Sequence, residues 1–422
     1  MSQDLKRKAA EAQLAALPLP EGEAVWAHDA RARARTRLLE AGAPARRDEY
    51  WKYTDPAALT APVAIAAAAE TAPASRAFEG IDATLVRFVN GRLRTDLSDP
   101  LGGPHTAMAA LDDILHQDIT IAREVFGTLE TAGQEMVDRP LAALNTATAT
   151  EGLVIQVTGP AAHPLHIRYD QIGEGASVVH HVVRVETGGE LTILESGVAT
   201  NTVLEVDIAE GGVLHHVRTQ TETRGATATH VFARLGAESQ FKTFTLTADG
   251  DLTRNEVVME LTGDEASGHI AGAVLGRESS HADNTVFVTH DAVNCESRQV
   301  FKNVLADKAR GIFQGKIYVK EGAQKTDGYQ ISQAVLLTDG AEFSAKPELE
   351  IYADDVACSH GSTTGALDPT AMFYLRSRGV PKAEAEAMLI AAFADEAIEE
   401  IADEALADAM RDEVARWMAS RG

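Results

Sequence analysis

The chain has 422 residues, an apolar fraction of 45% and a formal charge of −25. Its length suits two or three domains or one extended solenoid, and its acidity works against nucleic acid and anionic membrane surfaces, either of which adds like-charge repulsion. Two cysteines exclude a disulfide framework and point to a reducing compartment.

The first residues, MSQDLKRKAAEAQLAALPLP, carry basic residues and alanines as organelle presequences do, but no apolar core of secretory length. Leu5, Ala9, Leu14 and Leu17 are spaced for a surface helix. No run approaches ~18 apolar residues, so no transmembrane helix is expected. The chain is expected to be soluble and cytoplasmic.

Residues 1–145 read as an N-terminal helical domain with a β-hairpin. The spacing predicts a helix over Glu23–Ala41, stopped by Gly42 and Pro44, with Val25, Trp26, Leu38 and Leu39 buried. In the string RRDEYWKYTDPAAL (Arg46–Leu59), Tyr50, Trp51 and Tyr53 are expected to pack a helix on the core. The alanine- and proline-rich stretch Ala57–Pro73 reads as a flexible connection. Leu85–Leu97 is a hairpin candidate turning at Asn90-Gly91, and Leu111–Met136 returns to helical spacing.

Between residues 146 and 363 short alternating runs recur, among them Leu153–Val157, Leu165–Tyr169, Val178–Val185, Thr202–Ile208, Phe241–Leu246, Thr285–Thr289 and Ile317–Val319. Glycine-containing turns such as Gly188-Gly189, Gly211-Gly212 and Asp249-Gly250 separate them. Roughly 200 residues of strands exceed an ordinary sandwich and favour a β-solenoid, each rung pairing with its neighbours, although no clean repeat is visible. The open ends of such a solenoid carry unpaired N–H and C=O groups that invite another strand.

Residues 364–422 read as an acidic C-terminal helical domain. Leu389, Ile390, Phe393, Ala397 and Ile401 trace one apolar stripe, and Met410, Val414, Trp417 and Met418 another, so a break is expected near Asp403–Ala405. The acidic surface fits a solvated face or a docking site.

Nucleotide signatures are missing. Gly311-Ile-Phe-Gln-Gly315-Lys316 has one residue too few for a phosphate loop and Ile317 where magnesium needs a hydroxyl, so a strand turn is expected. Gly268, Gly272 and Gly276 are misspaced for a dinucleotide fingerprint. Adjacent histidines in a strand, His180-His181 and His215-His216, face opposite sides and chelate poorly; they and His163 and His166 read as structural. A Cys295–Cys358 pairing would need Cα atoms within about 7 Å.

The most informative stretch is Pro347–Gly379, PELEIYADDVACSHGSTTGALDPTAMFYLRSRG. Asp368-Pro369 is a helix start and Gly379 a left-handed stop. If Tyr352–His360 is extended, Cys358 and His360 share a face with Cβ atoms roughly 6.6 Å apart, two strand rises. That separation suits two ligands on neighbouring irons of one cluster. Asp354-Asp355 either tune those ligands or form a turn.

The string PELEIYADDVACSHGSTTGALDP followed by MFYLRSRGV resembles the signature of the SufD family, scaffold subunits of the Suf iron–sulfur cluster assembly machinery. Arg46–Leu59 and Gly276–Leu305 are similar to other parts of the same family; for the second segment the resemblance implies that His281, His290 and Cys295 could lie near a path for sulfur or iron, with core or turn roles as the alternative. The resemblance implies a mainly β fold with a right-handed β-helix core flanked by helical domains, and a non-catalytic role. It implies pairing with the SufB-like paralogue at the solenoid end and binding of the SufC-like ABC ATPase by residues 370–400, so that ATP enters through a partner. It also implies a transient iron–sulfur cluster shared with the partner chain, with His360 as the first candidate ligand and Cys358 the second. Two cysteines cannot supply the four thiolates that usually hold a cluster, so none is expected in the isolated chain. Two other functions fit the solenoid reading: a β-helix carbohydrate-active enzyme with paired carboxylates along a groove, and a homodimeric interaction module.

Overall fold

The computed structural model describes residues 1–69, 76–221 and 225–420. Among these the strands form one sheet of ten and one of nine, and from Leu153 onward successive strands go alternately to one sheet and the other. Each strand pairs in parallel with the strand two places on, as Val213–Thr221 does with Gln240–Ala248 and that strand with Ser267–Gly276. This is the two-sheet β-solenoid that the alternating runs predict.

The rungs differ in length, which is why no repeat is legible. Val213 opposes Gln240, Gln240 opposes Ser267, Ser267 opposes Glu296 and Glu296 opposes Asp327, so the step drifts from 27 to 31 residues. The ladder fixes register within strands, and the turns absorb the difference. Within the solenoid, Ser267–Gly276, Glu296–Leu305 and Asp327–Leu336 escape the sequence pattern. Their inward rows include Gly268, Gly272, Gln299, Asn303 and Gln330 where an apolar alternation would need aliphatics. The expected turn at Gly311–Lys316 is instead the interior of a strand, Arg310–Val319. Gly315 is needed there because a Cβ would meet Gln330 Nε2 at 2.2 Å.

Apolar side chains fill the solenoid: Ile167, Val183, Leu204, Val231, Met259 and Phe301 belong to one buried cluster. Each such side chain contributes about 1.5–3 kcal/mol when fully buried. Helices then cover both outer faces. On the nine-stranded sheet, Phe126, Leu129 and Ala142 pack on Val182, Val203, Phe232 and Phe287. On the ten-stranded sheet, Ile390, Ala397, Met410 and Trp417 pack on Phe244, Leu246, Ala273 and Val300. Both C-terminal stripes reach that one sheet because the helix breaks as expected, ending at Ile398 and restarting at Glu404 with Asp403 as its cap.

In the N-terminal region, the first helix, Gln3–Ala16, is capped by Ser2, and the second, Val25–Ala41, stops at Gly42 with φ +70°. Leu38 is buried as expected, but Val25, at the first helical position, is 74% exposed. Leu111–Met136 is broken into short helices, Leu111–Leu115, Ile121–Glu124 and Thr128–Ala132. The hairpin forms between Thr84–Val89 and Arg92–Leu93, with Asn90 and Gly91 both at positive φ. Within the stretch read as flexible, Ile65 bridges to Ala176 and Ala66 is buried, which anchors it; its residues 70–73 lie outside the described residues. Among the described residues no helix is long and apolar enough to cross a membrane.

Candidate functional site

The solenoid ends in two strands, Glu342–Ile351 at the edge of the nine-stranded sheet and Ala357–Gly365 at the edge of the ten-stranded one. The expected single extended run from Tyr352 to His360 is therefore a turn followed by a strand. Asp354-Asp355 lie in that turn, where Asp355 pairs with Lys325 and accepts its backbone N–H.

Each edge strand is paired on one side among the described residues. Glu342 N donates to Ala309 O and Tyr352 N to Val319 O, so even-numbered amides of Glu342–Ile351 point back to the neighbouring strand and odd-numbered ones face outward. Pro347 occupies an outward position and removes one donor there, as prolines at sheet edges do. In Ala357–Gly365 the parity is reversed, since Ala357 N donates to Thr326 O. The outward backbone groups thus belong to Cys358, His360, Ser362 and Thr364.

Side-chain alternation puts Cys358 and His360 on one face of this strand, as the sequence predicts. Cys358 is half-buried beside Ile317, Val319 and Ala323, its Sγ 3.2 Å from where a Cβ on Gly328 would sit. Burial pushes its thiol pKa up, the Gly328 N–H opposes the rise and the Asp327 carboxylate adds to it. His360 is exposed and stands in register with Gln330, which is fully buried and donates through Nε2 to Gln299 at 2.8 Å. A polar column, Gln299–Gln330–His360, therefore climbs the inner wall of the ten-stranded sheet to the open mouth. Ser332 and Ser362 form a second step 3.2 Å apart. Sequence reasoning missed this column; its trace was the amide at Gln299 and again at Gln330, hidden by the unequal rung lengths.

The other candidates lie elsewhere. His281 bonds Thr54 at 2.9 Å, His290 bonds Ser297 at 2.8 Å, and Cys295 is buried with its thiol on Gly263 O, contacts that suit core and turn positions. Cys295 and Cys358 are both free; Cys295 immediately precedes strand Glu296–Leu305, which Asp327–Leu336 separates from the strand of Cys358. Two strand spacings, about 9.6 Å, exceed disulfide reach. The paired histidines split as expected: His180 faces the helical layer, on Glu205 at 2.9 Å, and His181 faces the interior, on Tyr169 at 2.9 Å. Among the described residues no group of three or more His, Cys, Asp or Glu side chains is arranged to hold a metal ion.

Residues 168–393, which include both terminal strands and the two candidate donors, match the family model of the SUF system FeS cluster assembly SufBD core domain. The chain belongs to the SufBD family. It is 30% identical over 385 residues to the iron–sulfur cluster assembly protein SufD of Escherichia coli, covering 88% of each chain. It is 28% identical over 302 residues to SufD of Bacillus subtilis, covering 67% of this chain and 69% of that protein. The chloroplastic protein ABCI7 of Arabidopsis thaliana is 30% identical over 244 residues, 55% of this chain and 51% of that one. This SufBD-family chain is thus a scaffold protein of iron–sulfur cluster assembly.

A second uncovered surface follows the terminal strand. Helix Pro369–Ser377, capped by Asp368 and followed by Gly379 at φ +88°, has no buried residue. Phe373 is 74% exposed, and Tyr374 and Met388 are exposed with it. Three large apolar side chains are thus left in water next to a packed layer.

Proposed function

We propose that this chain is one non-catalytic half of a two-chain cradle in which a nascent iron–sulfur cluster, the cargo, is assembled in the cytoplasm. The observation that carries the reading is that Cys358 and His360 sit on a strand whose outward backbone is unpaired among the described residues. Such an edge accepts a strand from a second solenoid, and a SufB-type paralogue would bring both the strand and the ligands that this chain lacks. Without that partner, the same edges fit a second copy of this chain. The exposed surface of helix Pro369–Ser377 and Met388 suits a SufC-like ABC ATPase, which would supply the ATP cycle.

Of the two donors, His360 is the readier ligand, because it is exposed and imidazole replaces thiolate on cluster iron in some centres. Cys358 must first lose a proton that its buried position holds, so iron binding there releases a proton and strengthens as pH rises. Co-expression with the paralogue and the ATPase tests the reading. His360→Ala and Cys358→Ala should each lower the iron and sulfide recovered anaerobically while the complex still assembles. Unchanged cluster yield in both variants would remove these residues from the mechanism.

A further inference from the structure

The N-terminal string around Tyr50 reaches across the sequence to the last strand of the nine-stranded sheet. Trp51 packs against Ala228 and lies 4.0 Å over the Arg254 guanidinium. Thr54 donates to Asp283 at 2.5 Å, and the Tyr50 ring meets Phe287 edge-on at 5.0 Å. Gln314 Nε2 donates to Tyr50 O at 3.1 Å. Finally, Tyr50 Oη donates to Glu348 Oε2 at 2.5 Å, and Lys346 Nζ lies 3.9 Å from the Tyr50 ring centroid, 3.0 Å from Glu49 and 3.2 Å from Glu348. Residues 49–54 thus cross five successive strands and end on the edge strand Glu342–Ile351.

We infer that residues 49–54 are a strap that holds the edge strand Glu342–Ile351 in the position a second solenoid chain requires, with Tyr50 as the positioning residue. The edge strand needs such help. Its inward row loses packing at the open mouth, Pro347 interrupts its outward backbone, and its even-numbered side chains Lys346 and Glu348 find partners on the strap. Tyr50 suits the task because its body is buried and its hydroxyl reaches a carboxylate, a hydrogen bond stronger than one between neutral groups. Burial and the Glu348 charge both raise the phenol pKa, so it stays a donor. The strap lies on the outer face and leaves the outward backbone of residues 343, 345, 349 and 351 free for an incoming strand. Its role at the junction rests on the proposed function above.

Native-state hydrogen exchange on the full-length isolated chain tests the strap. The amides of Ser344, Lys346, Glu348 and Glu350 point back into the sheet and should be the slow ones of the edge strand. Tyr50→Phe removes one hydroxyl and keeps the ring; Lys346→Met removes the cation and keeps the stem. Each should speed exchange in 342–351 by about tenfold, the scale of a lost hydrogen bond to a charged group, and leave Asn201–Ile208 unchanged. Each should also weaken association with a SufB-type chain by about tenfold. Unchanged exchange at the edge, or equal acceleration in Asn201–Ile208, overturns the strap. A loosened edge with unaltered association overturns its positioning role. If the wild-type chain does not associate at all, the proposed function fails, while the exchange comparison on the isolated chain still judges the strap.

Discussion

The two ends of the solenoid are built to opposite specifications. At the first end the sheets close with short antiparallel pieces: Thr106–Ala110 lies against Leu153–Val157, and Arg92–Leu93 folds back on Thr84–Val89. Helix Pro140–Thr148, every residue of it buried, packs nearby. At the last end a ten-residue and a nine-residue strand stop with outward backbones unpaired among the described residues, and the helix that follows has no fully buried residue. Exposed strand edges are an aggregation hazard that proteins ordinarily suppress. A chain that suppresses it at one end and keeps it at the other has the open edge that the proposed pairing with a second chain requires.

Substitutions should separate the two ends by what they change. Phe126, 1% exposed and 4.6 Å from the His180 ring, belongs to the covering layer. Phe126→Ala should cost about 3–5 kcal/mol in urea unfolding. Phe373→Ala on the exposed helix should stay within about 0.5 kcal/mol and lower affinity for the proposed SufC-like ATPase instead. Equal unfolding costs would contradict the contrast between covered and bare surfaces. Next in size, Thr364→Pro removes an outward N–H from the terminal strand. Sedimentation should show pairing with the SufB-type chain weakened by at least about tenfold, the loss expected for an interfacial backbone hydrogen bond left unmade, at nearly constant melting temperature. Retained pairing would mean that this edge is not the junction.

A smaller effect concerns pH. Burial lowers the pKa of His290, enclosed by the solenoid, to about 4, against about 6.5 in an unfolded chain. Between those values the unfolded chain binds the extra proton, so this group's contribution is intact above pH 6.5 and falls away as pH drops toward 4. It adds a stability slope of up to about 1.4 kcal/mol per pH unit. His290→Asn should flatten the stability–pH curve by that much in this window. A parallel curve would show that His290 is not held neutral. The smallest effect is chemical: iodoacetamide should label Cys358 slowly at neutral pH and faster as pH rises, while Cys295, 1% exposed, stays unlabelled in the native chain. Labelling of Cys295 first would reverse the assignment of the accessible thiol.

Much of this was legible in the residues. Alternating runs with glycine turns gave the solenoid, Asp368-Pro369 and Gly379 bracketed a helix, and Cys358-Ser-His360 carried its own two-residue periodicity. These are local properties, set by steric preferences and side-chain direction within a few residues. Strands with glycine and amides on their inward rows did not announce themselves, because their fit depends on what stands opposite: Phe301 over Gly272, Gln330 over Gly315. The contact of Tyr50 with Glu348, 298 residues away, had no local signature either. The sequence by itself determined the fold class, most of the elements and the two-residue spacing of Cys358 and His360. Only the tertiary structure decided which strand edges stay open and what holds them, because an edge is defined by the absence of a neighbour, and neighbours are chosen by the whole chain.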